Sequence, residues 1–233
     1  MGILSLIAFL TVGSLKAQTA DDVINKYVNA LGGKDLIAGI KTLYEEGSMQ
    51  FGGTEMPSTT YIVNGKAFKS VVDFNGQEIV QVVTLDKGGW VINPAMGQTT
   101  ATAMPEEQTK IFKMSMDVGG PLLNYAAKGN KVELVGKDTT AGGVAYKLKM
   151  TTRDGFSVMI YIDSKTYYLV KTVAEVPGQG ESTTTFSDHK KTDYGLVVPY
   201  TAEISNPQFQ LVITQKKVEV NKTIDPAIFD MPK

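Results

Sequence analysis

The stretch YIVNGKAFKSVVDFNGQEIVQVVTL, residues 61–85, decides the fold class. It carries two Asn-Gly pairs, Asn64-Gly65 and Asn75-Gly76, with apolar and polar residues alternating between them. Two-residue hairpin turns need a positive φ at both central positions, which Asn and Gly tolerate best. A strand between the two turns puts Phe68, Ser70, Val72 and Phe74 on one face and Lys69, Val71 and Asp73 on the other. The segment therefore predicts consecutive antiparallel hairpins.

The same pattern continues on both sides. Strands are predicted from Leu43 onward, then at Trp90-Val91-Ile92 after Gly88-Gly89, and at TTATA (99–103) after the Met96-Gly97 turn. They resume at KVELVGKDTT (131–140), GVAYKLKM (143–150), FSVMIYID (156–163), TYYLVKTVAEV (166–176), ESTTTFSDH (181–189), GLVVPYTAEIS (195–205) and FQLVITQKKVEV (209–220). The total is about 11–13 strands, mostly in sequential hairpins. An antiparallel sheet of that size must curl or close to bury one face.

Helical spacing is confined to two places. Val23, Ile24, Tyr27, Val28 and Leu31 repeat at helical intervals, with Thr19 or Asp21 as the cap and Gly32-Gly33 as the stop. Leu36, Ile37 and Ile40 predict a short second helix. In the middle, Pro105 precedes EEQTKIFKMSM (106–116), with early acids that suit a helix start. Gly119-Gly120 breaks that helix, and PLLNYAAKG (121–129) is expected to form another. The expected architecture is mainly β (α+β): one curved antiparallel sheet, with an N-terminal helix and a central helix pair covering its concavity.

Residues 3–15, ILSLIAFLTVGSL, form an almost unbroken apolar run. It is too short to span a bilayer, which needs about 20 apolar residues, and it suits a secretory signal. Only Met1 and Gly2 precede it, so the usual positive start is missing. Cleavage is expected after Ala17, giving a signal peptide at 1–17 and one domain at 18–233. A buried N-terminal helix or a membrane anchor competes for the same run. There is no cysteine in the chain. Bacterial lipoproteins are lipidated on a cysteine just after the signal, so this chain cannot be anchored that way. It is expected as a soluble, unanchored protein of an extracytoplasmic space.

Removal of residues 1–17 leaves 216 of 233 residues, enough for one substantial domain and short for two. The formal charge of −1 becomes −2 once Lys16 is lost, and no basic stripe suggests a nucleic-acid partner. Disulfides, thiolate metal sites and cysteine redox chemistry are excluded.

Catalytic patterns are sparse. His189 is the single histidine, between Asp188 and Lys190, and is expected in a solvated turn. No Gly-x-Ser-x-Gly run, His-Glu-x-x-His run or phosphate-binding glycine loop is present. The acid pairs Asp21-Asp22, Glu45-Glu46 and Glu106-Glu107 fit exposed element ends. Neither a metal nor a cofactor is expected, and an enzyme is not expected. What remains is apolar surface: 10 Tyr, 9 Phe and 10 Met, the last well suited to irregular apolar ligands.

Three stretches carry a family resemblance. LDKGGWVINPAMGQTT (85–100) is similar to a Gly-Trp-strand-turn segment of the LolA-like outer-membrane lipoprotein carriers, a superfamily that includes LppX-type and RseB-type proteins. MIYIDSKTYYLVKTVAEVPGQGESTTTFSDHKKTDYGLVVPY (159–200) resembles the family's strand–Asp-x-Lys-Thr turn–strand unit and its Gly-Leu-x-x-Pro-Tyr strand. DPAIFDMP (225–232) is similar to the closing segment. The resemblance implies an incomplete β-barrel with a helical lid over an apolar cavity. It also implies a periplasmic carrier of lipid or lipoprotein acyl chains, with a transient membrane receptor as a further partner and a monomeric state. The alternative within the same resemblance is an RseB-like envelope sensor that binds protein without transporting lipid. The arginine that locks the lid in the carriers has no counterpart, because the only arginine, Arg153, lies in the TTRDG turn.

Strand alternation and lid position nominate Phe68, Val72, Phe74, Trp90, Ile92, Ile111, Phe112, Met114 and Leu122 as cavity-lining residues. N-terminal sequencing of the exported protein should read from Gln18; a start at Met1 would mean that the apolar run is retained.

Overall fold

The computed structural model describes residues 18–176 and 180–232, without the side chains of Glu107 and Ile111. The expected signal at 1–17 lies outside them.

Thirteen strands form one antiparallel sheet, not closed into a barrel. In chain order they are β1 (Thr42–Phe51), β2 (Thr54–Val63), β3 (Ala67–Phe74), β4 (Gln77–Thr84), β5 (Gly88–Asn93) and β6 (Gln98–Ala103). After the middle segment come β7 (Lys131–Thr140), β8 (Gly143–Thr151), β9 (Ser157–Asp163), β10 (Leu169–Val176), β11 (Gly180–Lys191), β12 (Val197–Ser205) and β13 (Gln210–Val220). Nearly every strand pairs with its chain neighbour. The exception is β1 with β13, which joins two hairpin runs into the order β6-β5-β4-β3-β2-β1-β13-β12-β11-β10-β9-β8-β7. Strands β6 and β7 therefore lie at opposite edges. The chain between them must cross a whole face of the sheet, and that crossing is the lid.

The β1–β13 seam is irregular. An extra residue, Lys216, bulges from β13 opposite the Glu46–Gly47 step of β1. A side-chain carbon at Gly47 would come within 2.0 Å of the Thr214 carbonyl oxygen, so only glycine fits this approach.

Helix α1 (Ala20–Ala30) begins at Thr19 in a capping box. The Asp22 amide donates to Thr19 Oγ1 at 3.2 Å, and the Thr19 amide donates to Asp22 Oδ2 at 2.9 Å. Its buried face, Val23, Ile24, Tyr27 and Val28, packs with the short α2 (Lys34–Ala38) on Tyr146, Leu148, Met150, Ile160 and Ile162 of β8 and β9. This helix-covered face is the inner face.

Helix α3 (Glu106–Met114) forms as predicted, but its expected partner does not. Residues 118–129 are a run of turns. Asn124 at φ 52° and Gly120 and Gly129 at φ 66° and 80° break any helical path there. His189 also departs from expectation. It lies within β11, half-buried, with its ring stacked on Tyr168 at 4.7 Å. Loss of water holds its imidazole below the ordinary value.

The outer face of β3–β5 carries its own core of Ala67, Val80, Val82 and Trp90, sealed by Phe229 in a 3₁₀ turn at Pro226–Phe229. Trp90 Nε1 donates to the Phe229 carbonyl at 3.1 Å, and Lys69 Nζ donates to that of Ile228 at 3.1 Å. The tail thus works as a clamp on the sheet's back.

Gly47→Ala should lower stability by roughly 3 kcal/mol or more, read as a drop in the urea midpoint, because the β1–β13 seam must open to admit the methyl group.

Candidate ligand-binding groove

Cross-strand register sorts the inner face into rows. The upper row runs Val83–Phe68–Ile62–Leu43–Val220 across β4, β3, β2, β1 and β13. Met104, Phe112, Met116 and Val118 of the crossing segment cover it. The Phe68 and Phe112 rings stack with centroids 5.8 Å apart and planes inclined by 27°. Such a pair contributes about 0.5–1.5 kcal/mol beyond its area.

The lid is tethered mainly at its ends. At the start, the Met104 amide donates to the Gly89 carbonyl at 2.8 Å. At the finish, the Gly65 amide donates to the Met116 carbonyl at 2.8 Å, and the Val118 amide donates to Asn64 Oδ1 at 3.2 Å. Asn64 Nδ2 reaches the Ile40 carbonyl at 2.9 Å, so the Asn64-Gly65 turn ties α2 to the lid's end. Between the tethers, Lys113 Nζ reaches the Leu85 carbonyl at 3.3 Å, and apolar packing supplies the rest.

Directly below the upper row lie Gln81, Ser70, Thr60 and Glu45, and beyond them the face is again mostly apolar. Val72 and Met56 are buried, while Phe74, Ile79, Met49 and Ile213 are partly exposed. At the tips of the β1–β2 and β12–β13 hairpins, Gln50, Phe51, Gly52, Gly53, Phe209 and Val212 are among the residues lining a cavity of about 510 Å³, with Gln50 and Val212 on the outer face and Phe51 51% exposed. The upper row is therefore sealed, and beyond it several apolar side chains are partly exposed.

The nominated residues fall into separate places. Phe68, Val72 and Phe74 share the inner face of β3, and Phe112 meets Phe68 from the lid. Trp90 and Ile92 do not join them. They alternate onto the outer face, where the tail packs on Trp90. Leu122 is buried in the α1 core, away from the β3 group. Met114 is 51% exposed. The Ile111 side chain lies outside the described residues. Met104, Met116, Ile62 and Val83 were not nominated. Carrying the Phe68 alternation through the two-residue Asn75-Gly76 turn finds Val83. Ile62 was not legible this way, because a two-residue Asn64-Gly65 turn would set Tyr61 opposite Phe68, whereas the structure forms a three-residue loop, Asn64 to Lys66, that pairs Ile62 with it.

One ionisable group sits on the same floor. Glu45 faces inward between Leu43 and Gly47, whereas Glu46 is exposed on the other face beside Tyr44. The sequence expectation of an exposed pair therefore fails for Glu45, since successive strand residues point oppositely. Gln215 Nε2 donates to Glu45 Oε2 at 3.3 Å. Loss of water pushes the Glu45 carboxyl up to about 7. Among the described residues, no group of three or more His, Cys, Asp or Glu is arranged to hold a metal ion. No described helix is long and apolar enough to cross a membrane.

The folded protein holds the Glu45 proton more tightly than the unfolded chain does, so ionisation is destabilising. Stability should be fullest below the ordinary Glu value of 4.5 and fall as pH rises toward about 7. The decline attributable to this group is roughly 2 kcal/mol, allowing for water in the groove. Urea unfolding from pH 5 to pH 8 should show it, and Glu45→Gln should flatten it.

No protein-family model and no curated protein matches the sequence. Solved structures do match in fold. A DUF1329 family protein from Desulfovibrio piger superposes with a TM-score of 0.62 at 16% identity, covering 90% of this chain and 96% of its own. A LolA superfamily protein from Nitrosomonas europaea gives 0.59 at 10% identity, covering 92% and 98%. A domain from Vibrio parahaemolyticus named for outer-membrane lipoprotein sorting gives 0.59 at 11% identity, covering 90% and 95%. At these identities the likeness is one of fold: the unclosed antiparallel sheet has the fold seen in these LolA superfamily and DUF1329 structures.

Proposed function

We propose that this chain is an exported carrier that holds the acyl chains of a lipid or lipoprotein on its inner face. The supporting observation is the floor itself: an apolar upper row sealed by a strap tethered mainly at its ends, with further apolar side chains, some partly exposed, beyond one polar row. Displacing Phe112, Met104 and Met116 would join the two parts into one trough. Burial of an acyl chain contributes about 0.8 kcal/mol per CH₂, so one long chain suffices to replace the lid's own apolar contacts.

On this reading residues 1–17 are removed on export, residues 18–233 act as one domain, and the protein works in the periplasm as a monomer. A carrier must leave the membrane, and a chain without a lipidation cysteine is free to do so. Of the nominated residues, Phe68, Val72 and Phe74 line the trough and Phe112 closes it. Trp90, Ile92 and Leu122 serve stability rather than binding. A membrane receptor would accept the cargo. The protein binds and transfers, and performs no chemistry on its cargo.

Native mass spectrometry of the purified mature protein should show bound lipid, or uptake of an added long-chain fluorescent probe. A protein that neither retains nor takes up lipid, and instead captures an envelope protein, would favour the RseB-like alternative and end the carrier assignment. Phe112→Ala should speed probe uptake by about three- to tenfold, because the lid loses its ring contact with Phe68 while the sheet keeps its own packing.

A further inference from the structure

The inner face contains one polar row. In register across β4, β3, β2 and β1 it reads Gln81–Ser70–Thr60–Glu45. The apolar row Val83–Phe68–Ile62–Leu43 lies directly above it, and Val72 and Ile79 lie below. All four polar residues are partly exposed, so they open onto the groove. Among the described residues, the side chains of Gln81, Ser70 and Thr60 form no hydrogen bond to protein. Glu45 has only the long contact from Gln215 Nε2 at 3.3 Å.

A carboxylate in such a place lacks compensation. Burying a charge is costly unless it is paired and well hydrogen-bonded. β2 presents Ile62, Thr60 and Ser58 beside it, and β13 presents Val220, Val218 and Gln215. The lid presents Phe112, Met116 and Val118 above. None of these is basic. Lys190, opposite Val198 of the same face, is already paired with Asp188 at 2.6 Å. The site is thus a half-buried acceptor without a cation, flanked by free hydroxyl and amide groups and set in an apolar floor.

We propose that Glu45 binds the ammonium group of an amphiphile carrying a primary amine, with its alkyl chain lying along Val72, Ile79 and Phe74. This assignment rests on the groove being a lipid site. The ammonium donates to the Glu45 carboxylate, and Thr60 and Ser70 accept its remaining protons. A hydrogen-bonded ion pair shielded from water is stronger than either contact in solvent, so the headgroup adds selectivity to the binding that the chain supplies.

The test is competition against a fluorescent acyl probe bound to the mature protein, using dodecylamine and dodecanol below their micelle concentrations. At pH 8 the amine should compete about tenfold better than the alcohol. The preference should vanish in Glu45→Gln and persist in Glu46→Gln. It should also shrink as pH falls below about 7, where the free carboxyl takes up a proton. Lysophosphatidylethanolamine competing as well as dodecylamine would place the amine on a phospholipid; competition by dodecylamine alone would place it on a simple alkylamine. Equal competition by amine and alcohol, unchanged in Glu45→Gln, would overturn the Glu45 assignment and leave the carrier reading intact. Failure of the acyl probe itself to bind would overturn both.

Discussion

The pairing of β1 with β13 is the constraint on which the rest of the molecule depends. Every other strand pair is a hairpin or a near neighbour in the chain. This one joins residues about 170 positions apart and places each hairpin run on its own side of a central seam. Two consequences follow from connectivity alone. The first and last strands meet in the middle, and the two middle strands, β6 and β7, become distant edges. A chain that must travel between those edges has to cross a face, and crossing the apolar face buries more surface than crossing the polar one.

That crossing explains why the lid is a strap rather than a domain. It shares few backbone hydrogen bonds with the sheet, and most of these sit at its ends. Its middle is held chiefly by side-chain packing of Phe112 on Phe68 and of two methionines on the upper row. Packing of that kind is exchangeable for other apolar contacts, and methionine adapts to different neighbours. The opposite half of the inner face is different. There α1 is fixed by a capping box and a dense core on β8 and β9, and Asp21 accepts from the Tyr125 hydroxyl at 2.7 Å. One half of the inner face is filled by α1 and its core, and the other is crossed by a strap held chiefly by side-chain packing.

Glu45 belongs to the same seam. The strand that joins the two halves carries, at the centre of the floor, a carboxyl that the fold leaves without a counter-charge. Natural cores rarely retain such a group for stability, since a hydrophobic residue of similar volume would serve better. Its presence beside an ungrouped row of hydroxyl and amide side chains marks the point where an otherwise apolar floor can recognise something polar.

The amino-acid sequence by itself determined the local structure. The Asn75-Gly76 turn, period-two alternation and the Thr19 cap are decided by φ preferences and short-range hydrogen bonds, so the strand number and the faces of Phe68, Val72 and Phe74 were legible; the Asn64-Gly65 turn was not, since it widens to three residues and only Gly65 of the pair takes a positive φ. The second lid helix was not, because helical periodicity in PLLNYAAKG says nothing about the positive φ that Asn124 adopts. Only the tertiary structure decided which alternating face is inner for each strand. Trp90 and Ile92 alternate as cleanly as Phe68, yet the tail packs against them and assigns them to the back of the sheet. Glu45 and Glu46 are chemically identical, and strand alternation alone puts them on opposite faces; that Glu45 takes the inner one was decided by the lid packing over Leu43, its neighbour on the same face, a contact between distant parts of the chain that leaves no local signal.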